Sequence, residues 1–264
     1  MEVKPGITIP RFVVEWSRSG PEEARTFLER LPSIELEGRS VLIVGRGASD
    51  LGIEVARRGA RRVLVLDMTS RRMMLSQLRL EEEGAPELPL ELRPFGGGLV
   101  ELGEERFDVV LAAEAFRRYG VERSSRHLEE LVEEMSSHLT DEGLLGVGFS
   151  PPWKAPYGGS TDSRLPWAHL LFPESVIFEE FRRVRDGNRA RTFDDIGINR
   201  ITVARFRQAM SKSGLECLSF ETNVSKSRAV AAMRVLSRLE HLEEYFTQNV
   251  YGVWSRSRSS SPAN

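Results

Sequence analysis

The sequence predicts an α/β protein built on a doubly wound, mostly parallel sheet with helices on both faces. Short apolar runs rich in β-branched residues recur along the chain, as is typical of strands buried on both faces. These runs are 41–45, 63–67, 107–113 and 144–149. Segments with helical periodicity separate them, at 70–82 and 124–138. Strands that alternate with such helices indicate right-handed crossovers between parallel strands.

The flanking segments predict further elements. Residues 21–31 predict a helix that begins at Pro21, because acidic residues fill its first turn and apolar residues follow at helical spacing. A weak strand is expected near 88–93. After the fifth strand the pattern changes, since 150–200 is rich in proline and glycine. Its helical candidates are short, at 174–183 and about 192–196, which indicates an insertion.

The last part of the chain returns to regular elements. These are a helix at 202–213, a strand at 215–220, a long amphipathic helix at about 228–246 and an alternating strand at 249–254. We therefore expect one domain over 1–254. It would have an N-terminal helical extension at 1–37, the insertion at about 150–200, and a disordered tail at 255–264, which is polar and rich in serine.

Composition restricts the functional classes. The chain has 264 residues, 40% of them hydrophobic, and a net charge of −2. Its apolar runs are far shorter than the ~18–20 residues that cross a membrane, and the first residues do not resemble a signal peptide. The even mixture of charges argues against a nucleic-acid surface. Cys217 is the single cysteine, which excludes an internal disulfide. We expect a cytoplasmic protein that binds neither nucleic acid nor membranes.

A glycine-containing loop follows the first strand of the predicted sheet. In an open parallel sheet, ligands bind beyond the carboxyl ends of the strands, beside the first strand. Gly45 and Gly47 stand at that position, where glycine lets backbone amides approach a ligand. Asp67 ends the second strand, about where an acid can accept both ribose hydroxyls of an adenosine. This pattern predicts an adenosine-containing cofactor; the alternative is an ordinary tight turn.

The charge in the loop decides between two cofactor classes. A dinucleotide-binding loop has a third glycine where this chain has Asp50, and a carboxylate there would repel a pyrophosphate. S-adenosylmethionine (SAM) has no phosphate and carries an ammonium that an acid attracts. The loop therefore favours SAM over NAD(P). Asp50 could equally cap a helix that begins near Leu51.

The segment SVLIVGRGASDLGIEVARRGARRVLVLD resembles motif I and the following acidic strand end of class I SAM-dependent methyltransferases. FDVVLAAEAF is similar to their fourth strand. LVEEMSSHLTDEGLLGVGF is similar to their next helix and fifth strand, with a turn at 140–143. The resemblance implies a Rossmann-like sheet of seven strands in the order 3-2-1-4-5-7-6, with the last strand antiparallel. It also implies that Gly45, Gly47, Ser49, Asp50 and Asp67 hold the cofactor.

The chain departs from that family at three positions. Ile43 stands where the family has an acid, two residues before the first glycine, and Ser49 stands where a third glycine is usual. The acid expected near the adenine is absent after the third strand, where the chain reads Phe95 and three glycines. We expect Asp50 to take the role of the acid that the family has at the position of Ile43.

Candidate residues on the acceptor side come from the insertion. His169 is the best-placed general base, since a neutral imidazole accepts a proton near pH 7; a structural histidine bound to a backbone carbonyl is the alternative. Tyr157 could orient an acceptor or simply pack. Glu114 could line the methionyl side of the site or cap a helix.

We expect Trp153, Tyr157 and Trp167 to form an aromatic wall or lid. The motif at 150–153 does not indicate an amino-group methyltransferase, because it follows the fifth strand and not the fourth.

The remaining histidines, His127, His138 and His241, are predicted on helices at the surface or at an interface, and no metal-ligand spacing is present. An apolar stripe that includes Val235 and Leu239 is expected to be core, with a homodimer contact as the alternative. The sequence thus predicts a SAM-dependent methyltransferase that acts on a small or medium-sized molecule. A non-catalytic subunit with the same fold is the second hypothesis, and an NAD(P)-dependent oxidoreductase the third.

Overall fold

The computed structural model describes residues 11–68, 70–83, 87–95, 99–118, 128–159, 165–184, 190–196, 198–224, 227–239 and 241–256. Its centre is a seven-stranded sheet in the order β3-β2-β1-β4-β5-β7-β6. The strands are β1 (Ser40–Gly45), β2 (Arg62–Asp67), β3 (Leu90–Pro94), β4 (Phe107–Ala113), β5 (Leu139–Phe149), β6 (Leu215–Thr222) and β7 (Val250–Arg256). The predicted fold class and strand order are confirmed.

Strand β1 lies in the middle of the parallel part of the sheet. All six of its residues are buried, and it pairs in parallel with β2 and with β4. Strand β7 is antiparallel to both β5 and β6, as predicted for the last strand. The carboxyl ends of β1, β2, β4 and β5 therefore meet at one edge of the sheet.

Helices cover both faces of the sheet. They are α1 (Arg11–Glu29), α2 (Ala48–Arg57), α3 (Ser70–Glu82), α4 (Ala115–Arg118), α5 (Leu128–Ser137), α6 (Ala168–Leu171), α7 (Glu174–Val184), α8 (Val203–Lys212), α9 (Arg228–Leu236) and α10 (Glu243–Phe246). Alternate residues of β1 point to opposite faces: Leu42 and Val44 join one apolar core, whereas Val41 and Ile43 join the other. The insertion has a small core of its own around Phe178 and Phe193. Among the described residues, no helix is long and apolar enough to span a lipid bilayer.

Helix α1 differs from the prediction at its beginning. It begins at Arg11, so Pro21 lies inside the helix and not at its start. Proline is favoured in a first turn, and that preference misled the prediction. The turns after Pro21 bury Ala24, Phe27 and Leu28 against the sheet. We infer that this packing holds the helix together across the proline.

The predicted long helix at 228–246 is two short helices, α9 and α10. Buried Asn223 causes the break, because its amide nitrogen donates to the Ser237 hydroxyl at 3.1 Å and to the Phe246 carbonyl at 2.9 Å. The chain between α9 and α10 is thereby folded back onto the end of β6. The expected core stripe is wrong as well, since Val235 is 63% and Leu239 57% exposed.

Smaller corrections concern the ends of elements and one histidine. Residues 140–143, expected as a turn, belong to β5, and Ser255 and Arg256, expected in the tail, end β7. His138 is buried, with Nδ1 2.8 Å from the Glu105 carbonyl oxygen, so the predicted surface position is wrong. His241 is exposed, as predicted. His127 and the tail after Arg256 lie outside the described residues.

A carboxylate ties the beginnings of β1 and β4 together. The backbone amide and the hydroxyl of Ser40 each donate to Asp108 Oδ2 at 2.8 Å, and Arg61 donates to the same oxygen at 3.0 Å. Burial alone would raise the pKa of Asp108. The hydrogen bonds from Ser40 and the charges of Arg61 and Arg39 outweigh it, so this pKa lies below its ordinary value.

We expect Asp108→Asn to lower the free energy of unfolding by about 1 kcal/mol at pH 7, the difference between a charged and a neutral hydrogen-bond acceptor. Because the folded pKa is depressed, the stabilisation is present above the unfolded value of about 3.9 and is lost as the pH falls through the folded value. Urea unfolding from pH 7 to pH 3 should show the two proteins converging below about pH 4. Exposed Asp141→Asn is the control and should have no effect at either pH. A constant difference at all pH values would contradict the assignment.

Candidate functional site

The loop after β1 has room only for glycine at two positions. A Cβ atom on Gly45 would lie 1.8 Å from the backbone oxygen of Ala113, at the end of β4. Gly47 has a φ of +74°, in the left-handed region that favours glycine, and is the residue before α2. The close approach at Gly45 brings the ends of β1 and β4 together, and the left-handed Gly47 leads the chain into α2.

Asp67, at the end of β2, holds this loop from the other side. Its Oδ1 accepts a hydrogen bond from the Gly47 amide at 3.1 Å. Its Oδ2 accepts from the Ser49 amide at 3.0 Å and from the Ser49 hydroxyl at 2.7 Å. Asp67 is 1% exposed. The sequence predicted a carboxylate facing a cleft, whereas here both oxygens bind the loop; contact with a ribose stays a prediction.

A cavity of about 380 Å³ opens beside the loop, within the 300–1,000 Å³ range of small-molecule sites. Its walls come from α1, from the loop after β1, from the ends of β4 and β5 and from the beginning of β7. Its lining residues are Ser19, Gly20, Glu22, Glu23, Ala24, Thr26, Phe27, Arg30, Arg46, Gly47, Asp50, Leu51, Arg72, Ala113, Glu114, Ser150 and Tyr251. Three of the predicted cofactor residues, Gly47, Asp50 and Glu114, thus share one cavity. Gly45, Ser49 and Asp67 support the loop behind it.

Asp50 brings a buried carboxylate to the cavity. Its Oδ1 forms an ion pair with Arg79 of α3 and lies 3.4 Å from the Ser76 hydroxyl. Its Oδ2 is buried without a hydrogen-bond partner among the described residues, as is Nη1 of the paired Arg79. The predicted cap role is wrong, because α2 begins at Ala48, Gly47 is its N-cap, and no side chain caps it. A buried acceptor without a donor is costly, so Oδ2 is suited to a donor on a ligand.

Glu114 joins the ends of β4 and β5. It has a φ of +57°, and its Oε1 accepts hydrogen bonds from the amide and the hydroxyl of Ser150, at 2.8 and 3.1 Å. The first of its two predicted positions, along the ligand side of the site, agrees with its place in the cavity lining. Its backbone geometry and its bonds to Ser150 keep this carboxylate beside the loop.

Sequence reasoning missed a contact between Arg30 and Tyr251. Arg30 donates to the Tyr251 hydroxyl at 2.6 Å, and its guanidinium lies 4.8 Å from the centre of the ring. Burial raises the pKa of Tyr251, Arg30 opposes the shift, and Glu114 and Glu23 add to it. The phenol is therefore neutral at pH 7. More than two hundred residues separate the pair in sequence, so no local pattern could have indicated it.

The two predicted catalytic residues do not line this cavity. His169 is buried, and its Nε2 lies 2.5 Å from the Trp153 carbonyl oxygen, which is the geometry of the structural alternative. Tyr157 is 46% exposed. The expected aromatic wall is divided: Trp153 packs on His169 and Phe193, whereas Trp167 packs on Phe246. Within the described ranges, no group of three or more His, Cys, Asp or Glu side chains could hold a metal ion.

The chain is similar to known methyltransferases in part of its sequence and in its fold. No protein-family model matches the chain. A ribosomal protein L11 methyltransferase from Desulforamulus reducens is 35% identical over 85 residues, which are 32% of this chain and 27% of that protein. The magnesium protoporphyrin IX methyltransferase of Synechocystis PCC 6803, solved with bound S-adenosylhomocysteine (SAH), superposes with a TM-score of 0.55 at 16% identity. The superposition covers 96% of this chain and 90% of that one. This is the methyltransferase fold.

The methyltransferase fold does not by itself specify a reaction. The cyclase SpnF superposes with a TM-score of 0.56 at 13% identity, over 92% of this chain and 82% of that one. Function must therefore be argued from the site of this chain, from its loop, its charges and its cavity.

We expect Asp67→Ala to lower the free energy of unfolding by about 2 kcal/mol, because it leaves buried amide donors of the loop without an acceptor. Urea unfolding followed by circular dichroism gives the value. Asp67→Asn is the control and should lose less, since its amide oxygen can still accept. An alanine variant as stable as the original protein would show that the three hydrogen bonds do not hold the loop.

Proposed function

We propose that this chain is a SAM-dependent methyltransferase that acts on a small or medium-sized acceptor. The observation that carries the proposal is the unpartnered Oδ2 of Asp50, buried at a cavity beside the glycine loop. The methyltransferase fold supports it, as does the SAH bound to a protein with the same fold. Residues 1–254 would form one methyltransferase domain, in a cytoplasmic protein that could form homodimers.

The charges around the loop favour a sulfonium cofactor over a dinucleotide. Asp50 lies in the first turn of α2, where a dinucleotide would place its pyrophosphate. A buried carboxylate at that point would repel a phosphate and attract a cation. The methionyl ammonium of SAM is such a cation, and it loses water when it enters a cavity.

The residues of the chain would act mainly by positioning. Bound SAM would supply an electrophilic methyl group, which is transferred by in-line displacement. Gly47 leaves room for the Arg72 guanidinium in the cavity wall. Asp50 would bind the ammonium, and Glu114, fixed by Ser150, would add negative charge to the cavity. Orientation supplies much of the rate in such a reaction. His169 as a general base would need to leave the Trp153 carbonyl, and Tyr157 would need to turn inward.

A non-catalytic subunit with this fold is the second candidate. The observation that favours it is Asp67, whose carboxylate is occupied by the loop in place of a ribose. SAM binding to such a subunit would be weak or absent. Direct binding measurements separate the two candidates.

Isothermal titration calorimetry with SAM, SAH and NADH tests the proposal. We expect SAM and SAH to bind with a Kd in the micromolar range, about −8 kcal/mol at 1 μM, and NADH to give no heat of binding, because Asp50 repels its pyrophosphate. Binding of NADH alone would favour the oxidoreductase. Absence of binding by all three would favour the non-catalytic subunit.

Two substitutions test the role of the Asp50 charge. Asp50→Asn should weaken SAM binding about tenfold, ~1.4 kcal/mol, because the ammonium loses its anion. It should also lower the melting temperature, because Arg79 then keeps only its longer ion pair with Glu83. Arg79→Gln is the matched control: it breaks the same ion pair but leaves the carboxylate charged. SAM affinity and melting temperature are measured for both variants.

The control separates charge from stability. We expect Arg79→Gln to be destabilised like Asp50→Asn and to retain SAM affinity or bind SAM more tightly. Equal losses of SAM affinity in both variants would show that the loss results from breaking the Asp50–Arg79 ion pair and not from removing the Asp50 charge. Unchanged affinity in Asp50→Asn would remove Asp50 from the site.

A further inference from the structure

Arg72 places a positive charge directly on the glycine loop. It lies in the first turn of α3, and a Cβ atom on Gly47 would come within 2.3 Å of its Nη1. The guanidinium thus occupies the space that the missing side chain of Gly47 leaves, and it lines the cavity. No hydrogen bond or ion pair joins the half-buried side chain of Arg72 to any residue of the described ranges.

The other arginines of the cavity are engaged. Arg30 donates to the Tyr251 hydroxyl and stacks on its ring. Arg46 makes further contacts of its own, besides the bond from its amide to the Ala113 carbonyl. Arg79, on the same helix as Arg72, pairs with Asp50. Among the described residues that line the cavity, Arg72 is therefore the arginine whose N–H donors no other residue uses. These donors can bind a ligand.

A cation and an anion, each with hydrogen-bonding groups that no described residue uses, lie beside the same loop. Arg72 lies on Gly47, and three residues later Asp50 presents its unpartnered Oδ2. An α-amino acid carries an ammonium and a carboxylate on one carbon atom. A site that binds only the ammonium would leave the carboxylate near Asp50, where like charges repel. Arginine suits this need, because its planar donors bind carboxylates in bidentate geometry.

We propose that Arg72 binds the α-carboxylate of the methionyl group, so that Arg72 and Asp50 together recognise the zwitterion of an α-amino acid. The proposal rests on the proposed function, since it takes SAM as the ligand of the cavity. It adds a specificity-determining residue: Arg72 distinguishes ligands with an intact amino-acid end from analogues that lack the carboxylate.

Decarboxylated SAM isolates this contact, because it keeps the adenosine, the sulfonium and the amino group and lacks only the carboxylate. Calorimetry measures the Kd of SAM and of decarboxylated SAM for the unsubstituted protein, for Arg72→Gln and for Arg58→Gln. Arg58 is the matched control, a partly exposed arginine at the far end of α2 that pairs with Glu54. The ratio of the two affinities within one variant does not depend on the fraction of protein that is folded.

We expect the unsubstituted protein and Arg58→Gln to bind SAM at least tenfold more tightly than decarboxylated SAM. In Arg72→Gln, SAM should bind about tenfold more weakly while decarboxylated SAM changes less than about twofold, so the preference disappears. Equal weakening of both ligands, or an unchanged preference, would overturn the role of Arg72 and leave the proposed function intact. Absence of SAM binding by the unsubstituted protein would overturn both.

Discussion

The hydrogen bonds that Asp67 accepts from the loop after β1 are the interaction on which the site depends. One carboxylate binds the amides of Gly47 and Ser49 and the Ser49 hydroxyl, and it is almost fully buried. It fixes the end of β2 to the start of α2. The first turn of α2 carries Asp50, and the Gly47 position receives Arg72. Asp67 therefore holds the loop that leads to Asp50 and against which Arg72 lies.

The sequence predicted the sheet well because its strands are defined by local patterns. Each residue of 41–44 is fully buried, and only a central strand gives so long an apolar run. The run 107–113, buried except at Asp108, agrees with β4 residue for residue. The order of the strands came from a resemblance to methyltransferases, and the fold has the same order. The strands could therefore be predicted, because a short local pattern of apolar residues defines each of them.

Predictions failed where a distant polar contact overrides local periodicity. The apolar spacing in 228–246 suits one long helix, but buried Asn223 binds both Ser237 and the Phe246 carbonyl and divides it. His138 was assigned to the surface by its helical context, yet it contacts the Glu105 carbonyl. The pairing of Asp50 with Arg79 and that of Arg30 with Tyr251 likewise join separate elements. These two contacts of the site could not be predicted, because no local sequence pattern encodes them.

The surroundings of Ile43 favour an apolar side chain at this position of β1. Ile43 is fully buried in the apolar core that β1 shares with α1 and α2, together with Val41 and Val55. A carboxylate at that position would have no polar partner in such a core. Asp50, in the first turn of α2, contacts Ser76 and Arg79 of α3 and is one of the residues that line the cavity. Helix α3 thus carries both Arg79, which pairs with Asp50, and Arg72, which lies against Gly47. The two charges proposed to bind the ligand therefore both depend on how α3 packs beside the loop.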